Sequence, residues 1–208
     1  MSDFFVLGGG GHARVLIHAL KRLGHDVHGY TALSDEGEFM QTPYLGTDDA
    51  FEQLQGSLSS CAALGIGKTG VQTRRLDFLD KLQALGFRVP VIHAPGAICH
   101  AGVQAGEGTV VLDGAVVVIG SRLGRACIVN TNATVDHDCV LGDDVHIAPG
   151  ATLSGGVEVG DHCMIGTGAN LIQAIRVCAD CMIGAGATVV RDISIPGVYV
   201  GTPARRIA

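Results

Sequence analysis

The sequence lacks tryptophan, and it has only nine aromatic residues among 208. Between Ile92 and Val198 there is no Phe, Tyr or Trp at all. Phe4, Phe5, Tyr30, Phe39, Tyr44, Phe51, Phe78 and Phe87 all come earlier, and Tyr199 stands alone after the gap. A core of ordinary construction leans on aromatics for buried area, so the second half must bury itself by other means. Charge is also scarce, at 16% of residues and a net −6, while 47% are apolar. That balance excludes disorder. The absence of any Lys or Arg block removes the electrostatic footprint of a nucleic-acid binder. No apolar run approaches the ~20 residues of a membrane helix. The opening Met1-Ser2-Asp3-Phe4-Phe5-Val6-Leu7 has no basic region and too short an apolar run for a secretory signal. Seven cysteines, an odd number without framework spacing, fit a reducing cytoplasm.

What the second half has instead is a repeat of six. Val111, Val117, Leu123, Val129, Val135, Leu141, Ile147, Leu153, Val159, Ile165, Leu171, Val177, Ile183, Val189 and Ile195 are all aliphatic. Two positions before them stand small residues such as Ala115, Ser121, Cys127, Ala133, Cys139, Ala151, Cys163, Ala169, Cys181 and Ala187. Ile92 and Ile98 extend the pattern backwards, with one extra residue expected near Gln104. A period of six fits neither a helix nor a simple strand. It fits short strands joined by sharp turns, three to a coil of 18, stacked so that one aliphatic side chain per strand enters a narrow interior. A ring has no room there. Gly, Asn and Asp at the corners supply the positive φ such turns need. Cys127, Cys163 and Cys181 fall in one column with Val145, so they read as interior packing. Cys178-x-x-Cys181 could be half a zinc site, but no second pair exists.

The first half is βαβ in pattern. Phe4-Phe5-Val6-Leu7 reads as a buried strand, followed by Gly8-Gly9-Gly10-Gly11-His12-Ala13 and a helix carrying Val15, Leu16, Ala19, Leu20 and Leu23 up to Gly24. Val27-His28-Gly29-Tyr30 is a second strand, Cys61–Ile66 a third, and a helix follows from about Val71 to Leu85. Gly8-x-Gly10-x-x-Ala13 satisfies the dinucleotide fingerprint formally. Thr31 stands where the ribose-binding acid belongs, and the domain is too short for two mononucleotide halves, which argues against NAD. A glycine loop before a helix still offers N–H groups to a phosphate. The expected organisation is a Rossmann-like α/β domain over residues 1–90, with a site for a nucleotide-linked substrate, and a parallel β-helix of six-residue repeats over residues 91–208.

Within the repeat the histidines are His137, His146 and His162. His137 lies near a corner, between Asp136 and Asp138, and a carboxylate on either side can orient its ring and raise its basicity. His146 is half a coil away, so the two can share a site only if neighbouring copies pack coil against coil. His162 reads as a solvated corner residue.

The hexads resemble those of the left-handed β-helix acyltransferases. With the loop ending in Gly11-His12 and the close Gly201-Thr202-Pro203-Ala204-Arg205, the whole chain is similar to the sialic acid O-acetyltransferase group, which includes the N-acetyltransferases of bacillosamine and perosamine synthesis. The resemblance implies a left-handed coil, an acetyl-CoA donor, a nucleotide-linked amino sugar as acceptor, surface polysaccharide synthesis, and a homotrimer with active sites between subunits. It assigns the general base to His137 with Asp138 as partner, and gives Asn130 a part in arranging the base. It places His146, Gly155, Thr167 and Ala185 on acetyl-CoA, with the Gly155 N–H on the oxyanion. Gly8, Gly10, Gly11 and His12 fall beside the sugar nucleotide. No metal is expected: the zinc hydratases of this architecture need a histidine pair five apart, and here the spacings are 9 and 16. O-acetylation of a sugar such as sialic acid uses the same base, and a non-catalytic scaffold is a further alternative. Related sequences commonly carry an Asp pair after strand 2, whereas this chain reads Tyr30-Thr31-Ala32-Leu33-Ser34-Asp35, which leaves uracil versus guanine open.

Overall fold

A computed structural model describes residues 2–54, 60–71 and 73–208. The chain divides into two compact units, Met1–Gly67 with Arg74–Pro95, and Lys68–Thr73 with Gly96–Ala208.

The first unit is a three-stranded parallel sheet with helices. β1 (Asp3–Leu7) lies between β2 (Asp26–Thr31) and β3 (Cys61–Leu64). Its continuous apolar run suits a central parallel strand buried on both faces. Between β1 and β2 runs α1 (Gly11–Arg22), whose buried Ala13, Leu16, Ile17 and Leu20 recur at helical spacing. Gly24, at φ +78°, closes its C-terminus after Lys21 and Arg22. A short α2 (Ala50–Gln53) precedes β3, and α3 (Arg75–Ala84) follows it. The helix begins at Arg75 rather than near Val71, because Lys68–Thr73 belongs to the second unit. The early aromatics do fill a core here. Phe87 meets Phe5 and Phe51 edge-on, at 6.2 and 5.3 Å between centroids.

The second unit is a left-handed parallel β-helix of hexads. One face stacks Val110–Val111, Ile128–Val129, His146–Ile147, Met164–Ile165 and Cys181–Ile183. The second face runs from Ile98–Cys99 to Thr188–Val189, and the third from Gln104–Ala105 to Arg176–Val177. Strands pair in parallel at an offset of 18, as Ile128 does with His146 and Thr134 with Thr152. The aliphatic residues and the small-residue slots of the repeat form one buried cluster that contains Cys127, Cys139, Cys163 and Cys181. Every sixth residue from Gly102 to Gly186 has positive φ, including Asn132, Asp138, Asp144, His162 and Asp180. That left-handed corner turns the chain from one face to the next.

Two details of the expected register are corrected. No extra residue interrupts it near Gln104: Cys99 pairs with Val117 and Ala105 with Leu123, so these small residues hold the inward positions and Ile98 is 54% exposed. At the other end Ile195 does not point inward. Ile193 bridges Val177 and is buried, because this coil is two residues short, and Ile195 is left outside. Tyr199, opposite Ile183, packs against the last layer of the interior. No helix among the described residues is long and apolar enough to cross a membrane.

Candidate active site

The corner that follows Thr134–Val135 presents the chemistry. His137 is exposed, and its Nδ1 lies 2.9 Å from Asp138 Oδ2. A carboxylate can only accept, so Nδ1 carries the proton and Nε2 keeps its lone pair. Asp138 takes the left-handed corner position, φ +59°, which Asp tolerates better than most residues and which fixes its carboxylate beside the preceding ring. Asp136 binds differently, accepting the backbone N–H of His137 at 2.8 Å. In this structure the ring therefore pairs with Asp138, and Asp136 with the backbone. The hydrogen bond to Asp138, followed by the nearby charge of Asp136, holds the His137 pKa above its ordinary value.

One coil later, Gly155 lies directly beneath the ring. A Cβ there would stand 2.4 Å from His137 Nε2 and 2.5 Å from Cε1. Only glycine leaves the ring in this position, and the reason is the close approach, since no positive φ is involved. The Gly155 N–H takes no partner among the described residues, whereas Gly156 N–H donates to the His137 carbonyl at 2.8 Å. A lone pair and a spare N–H donor thus meet at one corner, the pair that proton abstraction and oxyanion stabilisation need.

His146 stands on the first face, next to the inward Ile147. It is 7% exposed, with Nε2 3.0 Å from Asn130 Nδ2 and Nδ1 2.9 Å from the Lys68 carbonyl. Both ring nitrogens are thus hydrogen-bonded within the second unit. Asn130 bonds to His146 and to the Thr131 N–H, not to His137; the two lie on different corners separated by the whole second face. Thr167 and Ala185 are exposed on successive coils at the corner between the first and second faces, and their N–H groups take no partner among the described residues.

Sequence reading missed Lys68, Thr73 and Asp144. Lys68 Nζ is 2.7 Å from Asp144 Oδ2, with both side chains shut from solvent, and Thr73 Oγ1 donates to the same oxygen at 2.6 Å. Breaking such a pair from one side costs ~3–5 kcal/mol. His162, expected to be merely solvated, sits 3.5 Å from that carboxylate. No local pattern announces a pair 76 residues apart.

In the first unit, Gly8 has φ +112°, and a Cβ there would strike the Gly65 carbonyl. A Cβ on Gly10 or Gly11 would meet nothing within 4 Å, so open space lies beside the N-terminus of α1. The N–H groups of Gly9, Gly10 and Gly11 take no partner among the described residues. His12, half-buried in the first turn, packs over Gly67. Among the described residues no three His, Cys, Asp or Glu side chains converge on a metal position.

A hexad solenoid with a histidine–carboxylate pair above a spare backbone N–H has the equipment of an acyltransferase. The bacterial transferase hexapeptide family (six repeats) matches residues 120–155. Perosamine N-acetyltransferase from Caulobacter crescentus, solved as a mutant in complex with CoA and GDP-perosamine, is 32% identical with a TM-score of 0.93, covering 100% of this chain and 98% of its own. The acetyltransferase domain of PglB from Neisseria gonorrhoeae, in complex with acetyl coenzyme A, is 36% identical with a TM-score of 0.89, covering 99% and 98%. WeeI from Acinetobacter baumannii, 21% identical with a TM-score of 0.86 and 100% of each chain covered, shares the fold. A comparison with curated proteins finds no match. The chain belongs to the hexapeptide-repeat acetyltransferase family of perosamine N-acetyltransferase and the PglB acetyltransferase domain, and it is an acetyltransferase.

Proposed function

We propose that this acetyltransferase moves the acetyl group of acetyl-CoA onto the amino group of a nucleotide-linked amino sugar, a GDP- or UDP-linked 4-amino-4,6-dideoxy sugar. The observation that carries the reading is the corner where His137 Nε2 stands over Gly155. His137 takes the proton of the attacking amine at Nε2, and Asp138 holds the ring and supports the imidazolium. The Gly155 N–H donates to the oxyanion as the new C–N bond forms. The C–S bond then breaks, and the proton held at Nε2 leaves on the thiol. Thr167 and Ala185 supply backbone donors to the pantetheine, and Asn130, brought by a neighbouring copy, helps to arrange the base. In the first unit the loop Gly8–Gly11, with His12, receives the sugar nucleotide, the N–H groups of Gly9, Gly10 and Gly11 and the start of α1 facing the phosphates, while the Gly8 N–H is held by the Thr31 carbonyl. The work belongs to the cytoplasmic synthesis of a surface polysaccharide.

The active protein is a homotrimer. His137 and the corner of Asn130, Thr167 and Ala185 are separated by a six-residue face, about 15–20 Å of extended chain, so a neighbouring copy must bring the second corner to the first. A thiol-release assay with acetyl-CoA against UDP-, GDP- and dTDP-linked amino sugars and free sialic acid tests the reading. Turnover with an amino sugar, lost in a folded His137→Asn variant, is expected. Turnover with sialic acid alone, or an active His137→Asn variant, would refute it. Copies carrying His137→Asn and copies carrying Asn130→Ala, each inactive, should recover about a quarter of wild-type turnover when reassembled together; no recovery refutes shared sites.

A further inference from the structure

The segment Lys68–Thr73 has no place in the reaction described above, yet its contacts run to Asn130. We infer that Lys68 is a positioning residue for the proposed transfer: its buried pair with Asp144 seats this strap so that the Lys68 carbonyl sets the tautomer of His146, and His146 sets the orientation of the Asn130 amide. The inference rests on the proposed function only for its effect on turnover.

The hydrogen bonds can be read in one sense only. Thr131 N–H donates to one atom of the Asn130 amide at 2.8 Å, so that atom is the oxygen. The other is the NH2 group, which must donate to His146 Nε2 at 3.0 Å. Nε2 is therefore bare, and the ring proton sits on Nδ1, where the Lys68 carbonyl accepts it at 2.9 Å. Neutral imidazole free in water prefers the opposite tautomer, with its proton on Nε2. Without the strap carbonyl that proton would face the Asn130 NH2 donor to donor. The amide would then turn over, setting its NH2 against the Thr131 N–H and withdrawing its second hydrogen from a ligand. The carbonyl stays in place because Lys68 Nζ and Thr73 Oγ1 both hold Asp144 Oδ2, at 2.7 and 2.6 Å, with Lys68 and Asp144 closed to solvent.

Long-range 1H–15N spectra of the full chain labelled at histidine read the tautomer directly, with His146→Gln identifying the signals. The wild type should show His146 protonated at Nδ1 and bare at Nε2. The double variant Lys68→Met, Asp144→Asn removes both charges and leaves no lone buried ion. Folded, as a cooperative melt will show, it should move the His146 proton toward Nε2 and lose about tenfold or more in kcat, with KM for the nucleotide sugar unchanged. Should it not fold, Thr73→Val, which removes one hydrogen bond and no charge, carries the same two readouts. A wild-type His146 protonated at Nε2 overturns the inference, as does a folded variant in which either the ring pattern or kcat stays wild type. The ring spectra need no substrate, so they decide the strap even if no amino sugar is acetylated.

Discussion

Replacing Gly155 by alanine should separate catalysis from stability. The new methyl would stand 2.4 Å from His137 Nε2, 2.5 Å from Cε1 and 3.0 Å from Cδ2. Ordinary contact begins near 3.4 Å, so the ring must withdraw by about 1 Å, a displacement that can cost roughly a hundredfold in rate. The fold does not resist, because the His137 side chain is 56% exposed and can swing into water. Gly155 also has no positive φ, so the backbone accepts alanine, and the loss of unfolded-state freedom contributes about 0.4–1 kcal/mol of stability. The N–H proposed for the oxyanion is retained. The expected result is a melting temperature equal to or above wild type, with kcat down about a hundredfold in the thiol-release assay. Turnover within about twofold of wild type would show that the ring position against Gly155 is irrelevant. A lowered melting temperature would show that the ring cannot leave.

The acid side of the pH profile tests Asp138. Its hydrogen bond is the chief cause of the raised His137 pKa, so the wild-type base becomes neutral only above the ordinary histidine value of about 6.5. Asp138→Asn, tolerated at φ +59°, should move the acid limb of kcat/KM to lower pH while lowering the plateau; a limb that stays or rises contradicts the pairing. Gly10→Ala should leave the melt unchanged and raise KM for the sugar nucleotide alone, whereas Gly8→Ala, against the Gly65 carbonyl, should destabilise the first unit. Equal melts for the two would refute the distinction. Ala151→Phe, in a fully buried interior slot, should cost about 1–3 kcal/mol or more by overpacking, read by denaturant unfolding.

The solenoid was legible in the sequence because each hexad repeats one local solution, so Val111 to Val189 could be placed by counting. Counting failed only where the repeat itself changed. The small residues Cys99 and Ala105 fill inward positions that the eye gave to Ile98, and the short coil moved Ile193 inward in place of Ile195. A carboxylate partner for His137 was readable because one stands on either side; that the ring takes Asp138 follows only from the corner geometry. The surroundings of His146 were not. Its partners Asn130 and Lys68 lie 16 and 78 positions away, and burial by a strap from earlier in the chain leaves no periodic trace. Backbone donors such as the Gly155 N–H are silent in side-chain identity, and only the demand for glycine under the ring marks that one.

The short final coil also bears on how the stack of coils stops. A stack of like rungs has no inherent reason to terminate, and its bare edge is a template on which another copy could add end to end. Here three changes coincide: the offset drops from 18 to 16 between Ile183 and Tyr199, a ring lies over the aliphatic column, and Arg205–Arg206 runs antiparallel on Tyr199–Val200. Each spoils the rung as a template in a different way, by register, by shape and by strand direction. Protection from filament growth therefore resides in these few terminal residues, while the interior contributes nothing to it.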